Sequence, residues 1–387
     1  MGHPRSPPSS CPGGDRPVSD VLDPTDSPGV DTDEQAALRS AVADVLRRHG
    51  GSDRLRAAMA STPRSDLDLW RTLTQQVGVA ALAIPEKFGG VGASLVETHI
   101  VLEELGRELA AVPMLGSAVL AAQAVLLTRD DEAAERLLPG IAEGETVASV
   151  CWADVAGWGR GGVVADGGLL TGTAHYVLDG EYADVLLVIA RSGGQTTLHE
   201  VAADAEGVTR TAMPLMDPTR ALATVTFEDT PSTVIAAPGD LVDRLLAVGA
   251  VALSAEQVGV AAGALDRTVA HTSTRTQFGR PIGSFQALKH RMADMFAAVE
   301  TARSVSYDAV DAVVRGSHDV DEAVAAARML CSETVTSAAG EAVQMHGGIG
   351  ITWEHDIQLF FKRAHATTLL LNRPWTHAPV IEQAAGL

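Results

Sequence analysis

From residue 239 to residue 346 the chain keeps a helical period with very few breakers. "DLVDRLLAVGAVALSAEQVGVAAGALDRTVAHTSTR", "SFQALKHRMADMFAAVETARSVSYDAVDAVVR" and "VDEAVAAARMLCSETVTSAAGEAVQMH" each read as one long helix. Long helices joined by short breaks can bury their apolar sides only against one another. Residues 238–387 are therefore expected to form an antiparallel bundle of the four-helix type.

The period is different upstream. Between 146 and 237, "TVASVCWA", "GLLTGTAHYVL", "ADVLLVIAR", "TTLHEVA" and "ALATVTFED" are short β-branched runs set apart by Gly and Asp, the pattern of a small β-barrel or sandwich. Residues 34–145 return to helical spacing, as in "EQAALRSAVADVLRRHG" and "LVETHIVLEELGRELA", and predict an all-α domain. Residues 1–33 are rich in Pro, Ser, Gly and Asp, too poor in large apolar groups to offset the entropy of ordering, and are expected to be disordered. The order is α domain, β domain, α bundle.

Composition excludes some functions. The formal charge is −20, with 49 acidic against 29 basic residues and no basic stripe, which argues against nucleic acid. The apolar run 110–127 is interrupted by Pro113, Ser117 and Gln123 and reads as buried helix, with no membrane role expected. Cys11, Cys151 and Cys331 are odd in number and widely spaced, and the N-terminus has no signal-peptide pattern. A reducing cytoplasm and no metal site are the expectations.

Two stretches carry chemistry. In "RTQFGRPIGSFQ", residues 275–286, Arg275 ends a helix, a glycine turn follows, and Gln286 opens the next helix. An Arg beside free helix-start amides suits a diphosphate; an interhelical turn with Arg275 capping carbonyls suits the same letters. In "QMHGGIGITWEHD", Gln344 precedes Gly347, Gly348 and Gly350, which would let a backbone approach a ligand closely, or simply end a helix. No strand precedes the glycines and no GK[ST] follows, so neither a Rossmann nor a Walker loop is present.

Taken together, "RTQFGRPIGSFQALKHRMADM" and "QMHGGIGITWEHDIQLFFKRA", behind "IPEKFGGVG" and "LEELGREL", resemble the acyl-CoA dehydrogenase family over residues 35–387. The resemblance implies FAD between the β domain and the bundle of a dimer of dimers. Arg275, Gln277 and Phe278 would contact its diphosphate region. Gln286, Gln344, Gly347 and Gly348 would reach the adenosine end of FAD held mainly by a neighbouring subunit. Acyl-CoA as substrate and an electron-transfer flavoprotein as oxidant are further implications.

The family's base is missing. Its usual Glu position, counted from Gly347, is Leu371; the alternative position on the first bundle helix is Gly249. Glu256, two turns beyond Gly249, is a weaker candidate, followed by Asp356 and His365; Glu354 matches a structural position. The flavin wall is altered as well, with Tyr176-Val177-Leu178 where an aromatic-x-Thr is usual, and Trp152 and Ala153 where a Thr donor is usual. The short helical ending, "FFKRA" and the absent Glu together resemble the base-lacking subunit of actinobacterial heteromeric acyl-CoA dehydrogenases acting on bulky or steroid-derived acyl groups. Two other readings stay open: a homo-oligomeric flavoenzyme with an unusual base, and a non-catalytic scaffold of the same fold.

Overall fold

The computed structural model describes residues 32–159 and 161–386. Expected disorder over 1–33 thus lies outside the described residues except for the last two positions, which correct it. Thr32 is the N-cap of α1 (Asp33–His49): its hydroxyl accepts from the Gln35 amide, and the Gln35 side chain accepts from the Thr32 amide. This Thr-x-x-Gln box satisfies two helix-start donors, so Thr32 and Asp33 are part of an ordered helix start.

Five further α-helices and a π-helical segment follow. They are α2 (Ser52–Ala60), α3 (Leu67–Val77), α4 (Leu95–Arg107), α5 (Ala122–Thr128) and α6 (Asp131–Ala142). A second reciprocal box, Ser94 with Glu97, starts α4. The apolar run is a π-helical segment, Met114–Ala121, buried at all eight positions and continuous with α5.

The middle of the chain is an eight-stranded sheet in the order β10-β7-β6-β4-β5-β9-β8, with β1 paired in parallel to β6. Its strands are β1 (Ala148–Cys151), β4 (Val163–Asp166), β5 (Leu169–Leu178), β6 (Val185–Ser192), β7 (Gln195–Ala202), β8 (Val208–Ala212), β9 (Leu222–Pro231) and β10 (Thr233–Ile235). The short strands β2 (Ala153–Asp154) and β3 (Gly157–Trp158) form a separate hairpin. One apolar core runs from α1 through the π segment and the sheet to the start of the first bundle helix, ending at Leu370 and Leu371.

The bundle consists of α7 (Leu241–Thr274), α8 (Gln286–Arg315), α9 (Val320–His346), α10 (Ile357–Thr367) and α11 (Ala378–Ala384). Between α7 and α8 lies a tight hairpin, β11 (Thr276–Gln277) with β12 (Arg280–Pro281). Helix α7 is long and apolar enough to cross a bilayer, but 89% of its most apolar window is buried within the fold. Its small residues have a local cause. A Cβ on Gly259 would stand 1.9 Å from the Glu103 carbonyl oxygen, and one on Gly263 2.3 Å from that of Arg107. On the facing helix, a Cβ on Gly106 would be 2.4 Å from the Glu256 carbonyl oxygen. Backbone meets backbone where α4 crosses α7, and only glycine fits.

Candidate functional site

The arginine turn is held rigidly by its backbone. The Arg275 amide donates to the His271 carbonyl at 2.9 Å, and its own carbonyl accepts from Ile282 at 2.8 Å. Phe278 and Gly279 occupy the left-handed region at the hairpin tip, with φ of 53° and 75°. The Phe278 ring is 90% exposed. The Arg275 guanidinium is exposed and makes no hydrogen bond or ion pair among the described residues; Gln277 and Gln286 are exposed as well.

The glycine bend stands beside it. Gly347 ends α9 at φ 64° and leads into a 3-10 turn, Gly347–Ile351, with Gln344 exposed on the last helical turn. A Cβ on Gly347 or Gly348 would meet no atom within 4 Å, whereas one on Gly350 would be 2.8 Å from the Val343 carbonyl oxygen. Packing within the chain thus requires Gly350 to be bare but not Gly348; Gly347 is favoured by its φ. The two segments converge. His271, one turn before Arg275, stacks on His346, the residue before Gly347, with ring centroids 4.3 Å apart. Arg56 of α2 braces the bend, donating to the Trp353 carbonyl at 2.7 Å and pairing with Asp356 at 2.6 Å. Asp356 is therefore an ion-pair partner. Glu354 is exposed, and His365 packs its ring on Phe361 at 4.3 Å.

The two positions where the family resemblance leads one to expect a base, Leu371 and Gly249, meet each other. Leu371 is 1% exposed, and a Cβ on Gly249 would lie 2.5 Å from its Cδ1 and 3.2 Å from Leu120 Cδ2. Both places are apolar and closed. Leu371 and Asn372 have φ of 54° and 72°, a bend that leaves carbonyls without helical partners. Arg328, fully buried on α9, satisfies them: its Nη2 faces the carbonyls of Thr367, Leu370 and Asn372 at 3.1, 2.7 and 3.1 Å. Burial pulls the Arg328 pKa down to about 10. Sequence reasoning passed over this residue; a lone Arg inside "AVAAARML" was the available signal.

Glu256 sits in a buried ion network. It pairs with Arg220 and, at 3.4 Å, with Arg363, whose Nε in turn donates to Asp217 at 2.7 Å. Burial raises the Glu256 pKa, the largest single effect, yet Arg220 and Arg363 outweigh it and hold the carboxyl below its ordinary range. Such a carboxylate is a weak proton acceptor. Asp179 behaves differently: burial raises it to about 6. It lines a void of about 30 Å³ with Arg220 and Glu256.

A much larger cavity, about 710 Å³, opens between the β2–β3 hairpin and the end of α10. Trp158, Tyr176, Met213, Leu369 and Leu370 are among the residues that line it, together with Asp217, Arg220 and Arg373. Neither Leu371 nor Asp179 lines it. Two backbone donors on the hairpin are already used: the Ala156 and Gly157 amides both donate to Asp154 Oδ1, at 2.7 and 3.1 Å. The Gly159 amide donates to the Trp152 carbonyl, and Leu178 offers a buried alkyl group. The wall is mainly apolar, with Arg220, Asn372, Arg373 and Thr376 among the polar groups that line it. The outer edge is the opposite, with an unpaired guanidinium and bare glycine backbone, groups that fit a nucleotide diphosphate.

Residues 32–145 match the family described as acyl-CoA dehydrogenase, N-terminal domain, and residues 240–370 match acyl-CoA dehydrogenase, C-terminal domain. The chain is 40% identical over 344 residues to acyl-CoA dehydrogenase IpdE2 of Mycobacterium tuberculosis, covering 88% of this chain and 94% of that one. Among solved structures it resembles a steroid ACAD variant of Tcur3481-Tcur3483, with TM-score 0.83 and 30% identity over 91% of this chain and 98% of that one. It also resembles a chain of the ChsE4-ChsE5 complex from Mycobacterium tuberculosis, with TM-score 0.84 and 28% identity over 92% and 98% of the two chains.

Proposed function

The chain belongs to the acyl-CoA dehydrogenase family of FAD-dependent oxidoreductases, and on that premise we propose that it is the base-lacking subunit of a heteromeric enzyme. In this reading it completes the FAD site of an acid-bearing partner. One observation carries the reading: Gly249 and Leu371, the two places where a base would stand, face each other, and the alkyl groups of Leu371 and Leu120 fill the space beside the bare glycine. A general base is worth roughly 10²–10⁴-fold in rate, so its place would not be closed in a chain that worked alone.

FAD held in the assembled site would supply the acceptor for the hydride lost from Cβ of an acyl thioester. This chain's part is to hold. Arg275 gives a charge-assisted fork to the diphosphate, with Gln277 and Phe278 at its sides. Gln286, Gln344, Gly347 and Gly348 form the adenosine end of the grip. The exposed tip at Phe278, together with Ile351 and Trp353 (77% and 64% exposed), gives a neighbouring subunit an apolar surface to cover. The large cavity suits a bulky acyl group, in line with the steroid ACAD neighbour, and the ChsE4-ChsE5 complex supports a two-component assembly. Reoxidation by an electron-transfer flavoprotein is part of the same proposal.

The competing reading is a homo-oligomeric enzyme with an unusual base. Asp179 speaks for it, since its carboxyl is tuned toward neutral pH, but it lies outside the large cavity. Purification alone and with an acid-bearing relative encoded nearby separates the readings. Flavin colour and acyl-CoA-dependent bleaching only on co-expression support the proposal. Both from the chain alone support the competitor, and a colourless protein in either case supports a scaffold.

A further inference from the structure

Three imidazoles meet where the arginine turn and the glycine bend converge. His271 lies in the last turn of α7, His346 ends α9, and His355 stands just before α10. The ring centroids of His346 lie 4.3 Å from those of His271 and 4.7 Å from those of His355. One nitrogen from each residue falls within 4.8 Å of the other two.

His346 is 5% exposed, and its Nδ1 lies 2.7 Å from the Ala342 carbonyl. A carbonyl can only accept, so Nδ1 carries the proton and Nε2 presents a lone pair. That Nε2 is buried and has no partner. A buried orphan acceptor requires an explanation, and two more imidazoles beside it supply one.

We propose that His271, His346 and His355 form a site for a divalent transition metal of the zinc class, with water from solvent as the fourth ligand. His346 is the fixed ligand. Its Nδ1–H bond to a backbone carbonyl is the outer contact that usually orients a metal-binding imidazole. Zinc–nitrogen bonds of about 2.0–2.1 Å bring tetrahedral donors to about 3.4 Å from each other, so the rings must swing inward. His271 and His355 are half-buried and have solvent on one side, which permits that movement and gives the ion an entry path. His355 Nδ1 accepts from the Ile357 amide at 3.1 Å, and ligation through Nε2 gives up that bond. Arg56, Arg267 and Arg275 lie close enough to oppose a dication, while Asp356 favours one. Micromolar affinity is therefore expected rather than that of a closed structural site.

A bound ion would staple the end of α7 to the end of α9. No sequence spacing announces the site, because its ligands come from three separate segments. The inference rests on this cluster alone and stands whether or not the chain has a catalytic partner.

The test uses the full chain after dialysis against a chelator. Zinc is titrated by calorimetry, and cobalt(II) by visible absorption. The expected result is one saturable equivalent of zinc, a rise in melting temperature, and the intense cobalt bands of four-coordinate geometry. His271→Phe and His355→Phe each weaken zinc binding by about tenfold or more. Absence of saturable binding overturns the proposal. So does binding that both variants retain, which places the ion on other histidines. Should a variant fail to fold, the wild-type cobalt spectrum decides, and weak six-coordinate bands overturn the site.

Discussion

Leu371 lies against Gly249, its Cδ1 2.5 Å from the place a Cβ on residue 249 would take. The contact joins α7 to the bend after α10. A Cβ at 249 is opposed by the flexible end of one leucine and by Leu120, so Gly249→Ala is expected to cost about 1–3 kcal/mol by overpacking. Leu371→Ala empties the same space and is expected to cost about 2–5 kcal/mol. The double variant should be more stable than the sum of the two losses predicts, because each change relieves the other. Urea unfolding of the four proteins measures the coupling; strict additivity would show that the two residues do not share that space.

Arg275→Ala should weaken FAD retention in the assembled complex while leaving thermal unfolding of the isolated chain nearly unchanged, because the guanidinium has no partner among the described residues. Arg275→Lys should restore retention only in part, since an ammonium cannot fork onto two phosphate oxygens. Flavin released on gel filtration gives the readout. Retention equal to wild type in the Ala variant removes Arg275 from the grip.

Glu256→Gln leaves Arg220 and Arg363 with one buried anion fewer, and is expected to destabilise the fold by about 3 kcal/mol. Dehydrogenation per folded complex should change by less than about tenfold, below the range for loss of a general base. A loss of about a thousandfold with the fold intact would make Glu256 the base.

His99 predicts an acid-sensitive stability. Burial, and then Arg39, lower its pKa from 6.5 to about 3, so it is neutral in the native fold and takes a proton on unfolding below about pH 6.5. The native state then binds fewer protons than the unfolded state, so stability falls as pH drops from 6.5 toward 3. The limiting contribution is about 1.4 kcal/mol per pH unit. His99→Asn should remove that part of the slope. Identical slopes in urea midpoints at several pH values would show that His99 does not carry it.

The sequence made some of this legible and hid the rest for physical reasons. Long helices such as α7 and α9 are written in local periodicity, and the Arg275 turn and Gly347 bend in local breakers. Thr32 belonged to a readable capping pattern that compositional bias masked. Glu256 was a different case. Its partners Arg220 and Arg363 are 36 and 107 residues away in the chain, and only folding reveals the pairing. Arg328 likewise faces carbonyls about forty residues on, which no local pattern connects. The stack of His271 on His346 joins helix ends whose individual letters suggest nothing.

Where α4 crosses α7, Gly106, Gly259 and Gly263 leave no side-chain layer between the two backbones. Helices that touch this way have nothing to slide on, because shear between helices is taken up by side chains changing rotamer. The front α region and the bundle thus behave as one anvil. Adjustment to a larger guest falls to the opposite jaw, the β2–β3 hairpin and the 369–376 loop that face each other across the big cavity. Selection for a new acyl shape would be expected to rewrite those two loops and spare the glycine seam.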